Sequence, residues 1–219
     1  MEHFKPQTVN LRLQAINKYL EFIKQDKLKL RFIKVQQKNF LENVISNADY
    51  KFLKSSLLSD GYKDWYFIVW FMTATGSRVS ELLQIKAEHV QIGHLDLYTK
   101  GGKMRRIYIP KTLQKEALQW LQERQISTGY IFLNRFGERI TTRGIAMQLK
   151  HFADKYGLKR EVVYPHSFRH RYAKNFLDRF NDIALLADLM GHESIETTRI
   201  YLRRTASEQR QIVDKIVNW

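Results

Sequence analysis

Apolar residues between Val9 and Ile23 include those at 9, 11, 13, 16, 19, 20 and 23. That spacing is closer to the helical period than to alternation, and it predicts a helix with one buried face. The next stretch, KQDKLKLRFIKVQQK, alternates and is rich in lysine, as suits an extended basic connector. A domain boundary is placed near 36–42, which divides the chain into 1–38 and 39–219. Helical signals then dominate. SNADYKFLKSSLLSDG opens with Ser46 three residues before Asp49, a capping-box-like start, and stops at Gly61. KDWYFIVWFMTATG is apolar on nearly all sides and reads as the central buried helix. HLDLYT and RRIYIP alternate on either side of KGGK, a hairpin signal. Helical patterns return after Pro110, through TTRGIAMQLKHFADKYG, after Pro165 and through DIALLADLM. The predicted fold is α+β, mostly α-helical, with one small antiparallel sheet and no internal repeat.

Composition narrows the partner. The 219 residues are 44% hydrophobic, as expected of a globular chain, yet carry a net charge of +15 with a pI near 9.9. A polyanion is the simplest account, with nucleic acid ahead of an anionic membrane surface. The absence of cysteine excludes disulfides, thiolate zinc sites and thiol nucleophiles. The start, MEHFKPQTVN, has no signal-like apolar core, and the longest apolar run, WYFIVWFM, falls far short of the roughly 20 residues that span a bilayer. The expected location is cytoplasmic, with no membrane contact.

Four stretches carry candidate chemistry. In ATGSRVSELLQI, Gly76 ends one helix and Ser77 is placed to cap the next, which puts Arg78 in a first turn where the helix dipole disfavours a cation unless an anion completes the site. In YPHSFRHRYAKNF, Pro165 suits the first helical position, so His166 and Arg169 share a face in the opening turns. His166 and His170 are four apart, as in metal-binding helices, but the glutamate of HExxH is missing, and a structural role for His170 is preferred. The hairpin TKGGKMRR sets Lys100 and Lys103 beside a tight turn without Walker spacing. In LMGHESIETTRIYLRR, Gly191 breaks a helix, Ser194 starts another, and Tyr201 lies about two turns into it among Arg199, Arg203 and Arg204. By itself that tyrosine reads as a packing or DNA-contacting residue. A metal nuclease would need a carboxylate cluster, which the sequence does not offer.

Taken in order, these stretches resemble the tyrosine recombinase family of phage integrases over roughly residues 40–219. TGSRVSEL resembles that family's first-arginine motif, KGGKMRRIYIP its lysine hairpin, HSFRH its HxxR motif, and LMGHESIETTRIYLR the segment with its second histidine and nucleophilic tyrosine. The resemblance implies the DNA breaking-rejoining enzyme fold. It also implies a scissile phosphate surrounded by Arg78, Lys100, His166, Arg169 and His192, with Tyr201 as nucleophile and Glu81 supporting the site. Lys103 is the alternative to Lys100 as general acid. The implied activity is site-specific recombination through a covalent 3′-phosphotyrosyl intermediate, without metal, cofactor or ATP. A type IB topoisomerase-like enzyme and a non-enzymatic basic DNA-binding protein are the alternatives.

Double-stranded DNA is the implied partner, with a monomer off DNA and a tetramer in the synaptic complex, in a bacterial or phage setting at the nucleoid. Two departures stand out. Ser77 replaces the usual aliphatic residue before the first arginine, and residues 1–38 resemble only the last part of the core-binding domain that precedes the family's catalytic domain. The expectation is weakened DNA binding with an intact active site. In the tail, Ile212 with Ile216 and Val213 with Val217 form apolar i,i+4 pairs, suited to packing either in cis or on a neighbouring protomer.

Overall fold

The computed structural model describes residues 4–35, 43–98, 104–192, 194–202 and 213–217. The chain separates into two compact units, 1–39 and 40–219. In the first, α1 (Pro6–Phe22) begins with Pro6 inside its first turn and is followed by a single 3₁₀ turn at Asp26–Leu28. Two asparagines on the helix act as sheet partners for the connector. Asn10 and Asn17 each accept from a backbone N–H, of Ile33 and Leu30, and donate back to the same residue's carbonyl, at 2.8–2.9 Å. The helix forms as expected, but its buried face does not. Leu11, Ile16 and Tyr19 stand 68%, 44% and 63% exposed, because a lone helix and an extended strip offer no second layer to cover them.

The second unit holds the site. Ser46 caps α2 (Asn47–Ser59) by accepting from the Asp49 amide at 2.9 Å. The central helix α3 (Lys63–Thr75) buries Phe67, Ile68, Val69, Phe71 and Met72. It closes at Gly76, whose φ of +62° suits glycine, and a Cβ there would meet the Tyr172 ring at 2.4 Å. Short helices α4 (Val79–Leu82) and α5 (Ala87–Ile92) lead into an antiparallel pair, β1 (His94–Tyr98) and β2 (Met104–Tyr108), with Leu95 opposite Ile107 and Leu97 opposite Arg105. The turn between them, including Lys100 and Lys103, lies outside the described residues.

Further along the described residues come α6 (Lys111–Glu123), α7 (Thr142–Lys155), α8 (Pro165–Arg179), α9 (Ile183–Met190) and α10 (Ile195–Arg199). The chain then tightens into a 3₁₀ turn, Ile200–Leu202. The main core gathers Phe67, Phe71, Trp120, Phe132, Phe152 and Phe168, with Phe67 stacked on Trp120 at 4.4 Å between centroids. A smaller cluster of Ala173, Leu177, Leu186, Met190 and Tyr201 forms where α8 meets α9 and the 3₁₀ turn. Helix α8 contributes Phe168 to the first cluster and Ala173 to the second, so it ties the candidate tyrosine to the rest of the fold. Among the described residues no helix is long and apolar enough to cross a membrane.

Candidate active site

The chain leaves α3 at Gly76 and turns sharply into α4. Ser77 does not cap α4 as expected. It is buried, its hydroxyl accepts from Thr75 Oγ1 at 3.0 Å, and Arg78 itself holds the extended N-cap position one residue later. The capping work passes to Glu81, whose carboxylate reaches back to accept from the Arg78 amide at 2.6 Å and from its Nη1 at 2.8 Å. A carboxylate at this end of a helix satisfies an orphan donor and fixes the arginine together.

The other end of the site is built on the C-terminus of α9. A helix leaves its last carbonyls without intrahelical partners and concentrates negative potential there. Three arginines from distant segments take three successive carbonyls. Arg105 donates from Nε and Nη2 to Leu189 at 3.0 and 2.8 Å, Arg169 from Nη2 to Met190 at 2.7 Å, and Arg78 from Nη2 to Gly191 at 3.3 Å. Arg169 also donates to Gly76 at 2.6 Å, so it bridges the C-terminal ends of α3 and α9. Glu81 supplies the compensating charge, 2.6 Å from Arg105, 2.8 Å from Arg78 and 3.9 Å from Arg169. Burial pushes the Glu81 carboxyl up, but Arg105 and Arg78 more than offset this and hold it below the usual carboxylate range. Arg169, only 2% exposed, is pushed down to about 10 by burial and then by Arg78 and Arg105, which still leaves it charged at neutral pH.

His192 follows Gly191 directly and meets Arg169 Nη2 at 3.0 Å through Nε2. Because the guanidinium can only donate, Nε2 must accept, and Nδ1–H is left to donate to Thr198 Oγ1 at 2.7 Å. Tyr201 lies on the 3₁₀ turn that ends α10, 6% exposed, its ring stacked over His192 at 6.3 Å and its hydroxyl 3.0 Å from His170 Nδ1. Burial raises the Tyr201 pKa, opposed by Arg169 and Arg78. Burial also lowers the pKa of His166, and it carries His170 and His192 down to about 4, helped by neighbouring positive groups. His170 and His192 are therefore neutral at pH 7. His166 is exposed at the N-terminus of α8, and its ring meets His170 edge-on at 5.7 Å.

Arg78, Glu81, Arg169, His192 and Tyr201 are thus joined through one hydrogen-bonded and stacked network, with His166 on its solvent side. Lys100 lies outside the described residues. Of the tail pairs, Val213, Ile216 and Val217 are exposed, while Ile212 is outside the described residues. Among the described residues no cluster of three or more His, Asp or Glu could hold a metal ion. Arg105 and Thr198 were missed in the sequence, and His170 was read there only as structural. Arg105 had a usable signal, since it shares the inward phase of β2 with Ile107. Thr198 had none, and the spacing of His170 from His166 did not point to Tyr201, because these partners are set by tertiary packing.

The chain that builds this arrangement is similar in sequence to a known family. Residues 39–208 match the phage integrase family, and the chain belongs to it. Over 216 residues it is 32% identical to tyrosine recombinase XerA of Pyrococcus furiosus, covering 95% of this chain and 73% of the relative. It is 33% identical over 141 residues to tyrosine recombinase XerD of Listeria innocua, covering 60% of this chain and 47% of that one. Among solved structures, the crystal structure of XerA recombinase superposes with a TM-score of 0.69 at 22% identity, over 99% of this chain and 78% of that one. The Tn1549 transposon integrase bound to transposon right-end DNA gives 0.71 at 16% identity, over 97% and 80%. These likenesses support the expected fold and favour a recombinase over the topoisomerase and the passive DNA-binding alternatives.

Proposed function

We propose that the chain is a site-specific DNA recombinase that breaks and rejoins strands through Tyr201. The observation that carries this reading is the placement of Tyr201 in one network with Arg169 and His192, next to a second arginine held by Glu81. Arg78 and Arg169 bind the nonbridging oxygens of the scissile phosphate, where negative charge gathers as the phosphorus is attacked. Only two of the five donors of Arg78 are engaged by acceptors among the described residues. His166 adds a hydrogen bond from the solvent side, while His192, its ring nitrogens held by Arg169 and Thr198, orients the Arg169 guanidinium.

Tyr201 Oη gives up its proton to a neighbouring base and bonds to phosphorus as the 5′ oxygen departs with a proton from Lys100, which leaves a 3′-phosphotyrosyl link. A 5′ hydroxyl from another strand then displaces the phenol. The ester keeps the energy of the broken bond, so the exchange is reversible without ATP, and the side chains supply the charge that a metal would otherwise bring. Double-stranded DNA is the substrate, consistent with the net charge of +15. Residues 39–219 form the catalytic domain and 1–38 the end of a core-binding region. The protein acts at the nucleoid, as a tetramer on synapsed DNA and a monomer away from it.

The test is covalent capture. Incubation in EDTA with a pool of nicked suicide duplexes carrying a randomised centre should give a denaturant-resistant protein–DNA adduct, abolished in Tyr201→Phe. An undiminished adduct in that variant, or none with the wild type at low salt, would sink the mechanism.

A further inference from the structure

We infer that His170 is the group that takes the proton from the Tyr201 hydroxyl during strand cleavage and returns it during rejoining. The inference rests on the reading of Tyr201 as nucleophile and adds a residue to it. Two histidines of HSFRH compete for this role, and geometry separates them. His170 Nδ1 lies 3.0 Å from the phenolic oxygen, with ring centroids 5.4 Å apart, whereas the ring contact of His166 is with His170. His192 stacks on the tyrosine ring, but its Nε2 is taken by Arg169 and its Nδ1 by Thr198. Of the three imidazoles, His170 is the one placed to receive this proton.

The resting state is consistent with that role. With the phenol above its usual value and His170 near 4, the proton stays on oxygen, so the bond runs from Tyr201 O–H to a neutral Nδ1. His170 is held there by burial first, then by His166 and Arg169. A phosphodiester between the arginines brings negative charge close by and raises the basicity of the imidazole. Attack itself makes the phenolic oxygen acidic as the O–P bond forms. The O–H bond then breaks toward Nδ1 while phosphorus loses its 5′ oxygen, and that oxygen takes its proton from Lys100. In the reverse direction the imidazolium protonates the departing tyrosine oxygen. Nucleophile activation and leaving-group protonation are thereby assigned to different residues, one for each proton that moves.

The experiment uses the full chain. The duplex that the wild type cleaves best is recovered from the randomised pool and remade with a bridging sulfur in place of the 5′ oxygen, so that its leaving group needs no proton. His170→Gln can still accept the phenolic hydrogen bond but cannot keep the proton. It should bind the duplex and melt as the wild type does, yet cleave about 100-fold or more slowly. The sulfur substrate should restore Lys100→Ala and leave His170→Gln slow. Added imidazole should recover activity in His170→Ala, which guards against a folding defect in the glutamine variant. Cleavage by His170→Gln within a few-fold of wild type, or its rescue by sulfur, overturns the proposal while leaving Tyr201 as nucleophile. A wild type that forms no adduct through Tyr201 overturns both.

Discussion

Neutralising Glu81 tests whether one carboxylate holds the arginine cluster together. Glu81→Gln keeps the side-chain shape and an acceptor for the Arg78 amide, but removes the charge facing Arg78, Arg105 and Arg169. The Arg105 pair dominates the cost. Its side chains are 5% and 12% exposed at 2.6 Å, and breaking a buried pair from one side costs about 3–5 kcal/mol. The Arg78 pair adds less than about 1 kcal/mol, because that arginine is 38% exposed and solvent screens it. At about 2–4 °C per kcal/mol for a chain of this size, the melting temperature should fall by about 6–20 °C. The uncompensated arginines should then bind anions more tightly, so sulfate should recover more stability in the variant than it adds to the wild type. Thermal melts in chloride and in sulfate at matched ionic strength measure both effects. A loss below about 1 kcal/mol, or an equal sulfate gain in the two proteins, would show that Glu81 does not balance the cluster.

Acid should loosen the same region. His170 and His192 titrate near 4 when folded, against 6.5 in model compounds, so the unfolded chain binds these protons first. Their contribution is complete above pH 6.5 and is lost as pH falls toward 4. The full shift corresponds to about 3 kcal/mol per histidine, and partial exposure of the rings reduces it to about 1–2. Melts between pH 4 and 7 should show this slope, flattened in a His170→Gln/His192→Gln double variant; a slope unchanged by the two substitutions would contradict the assignment. Gly191→Ala should be costly for a separate reason. Its φ of +62° disfavours a side chain, and a Cβ would meet Arg105 Cδ at 2.3 Å, within the arginine cluster. A loss of about 2–4 kcal/mol is expected from strain plus displacement of Arg105, read by denaturant unfolding, and a loss under about 0.5 would mean that the clamp yields freely.

The helices were legible because their signals are local. Ser46 with Asp49, the apolar run of α3, Pro165 and the glycine stops each act within a few residues. The hairpin strands were legible by alternation. What escaped depends on partners far along the chain. Ser77 looked like a cap, yet its hydroxyl turns to Thr75 and Glu81 does the capping. The apolar stripe of α1 was read correctly as a stripe, but periodicity says only that a face exists, not that another layer covers it. Tyr201 and His170 lie 31 residues apart, and nothing in either neighbourhood announces their hydrogen bond.

The arginines illustrate why motif order was a better guide than any single motif. None of Arg78, Arg105 and Arg169 identifies the cluster from its own segment, and each is fixed by a carbonyl at the end of α9. Those carbonyls lack intrahelical partners by construction, so arginine donors satisfy them without competing with the helix, and the negative end of the dipole offsets part of the cost of burying positive charge. Gly191 then reverses the chain and delivers His192 against Arg169 within one residue of the carbonyls. The guanidiniums are consequently oriented before any phosphate arrives. Arg78, the most exposed of the three, keeps donors that an anion could take without dismantling the clamp, which is the form of electrostatic preorganisation that costs least at the moment of reaction. The placement of this site therefore depends on where α3 and α9 end as much as on the residues proposed to touch the phosphate.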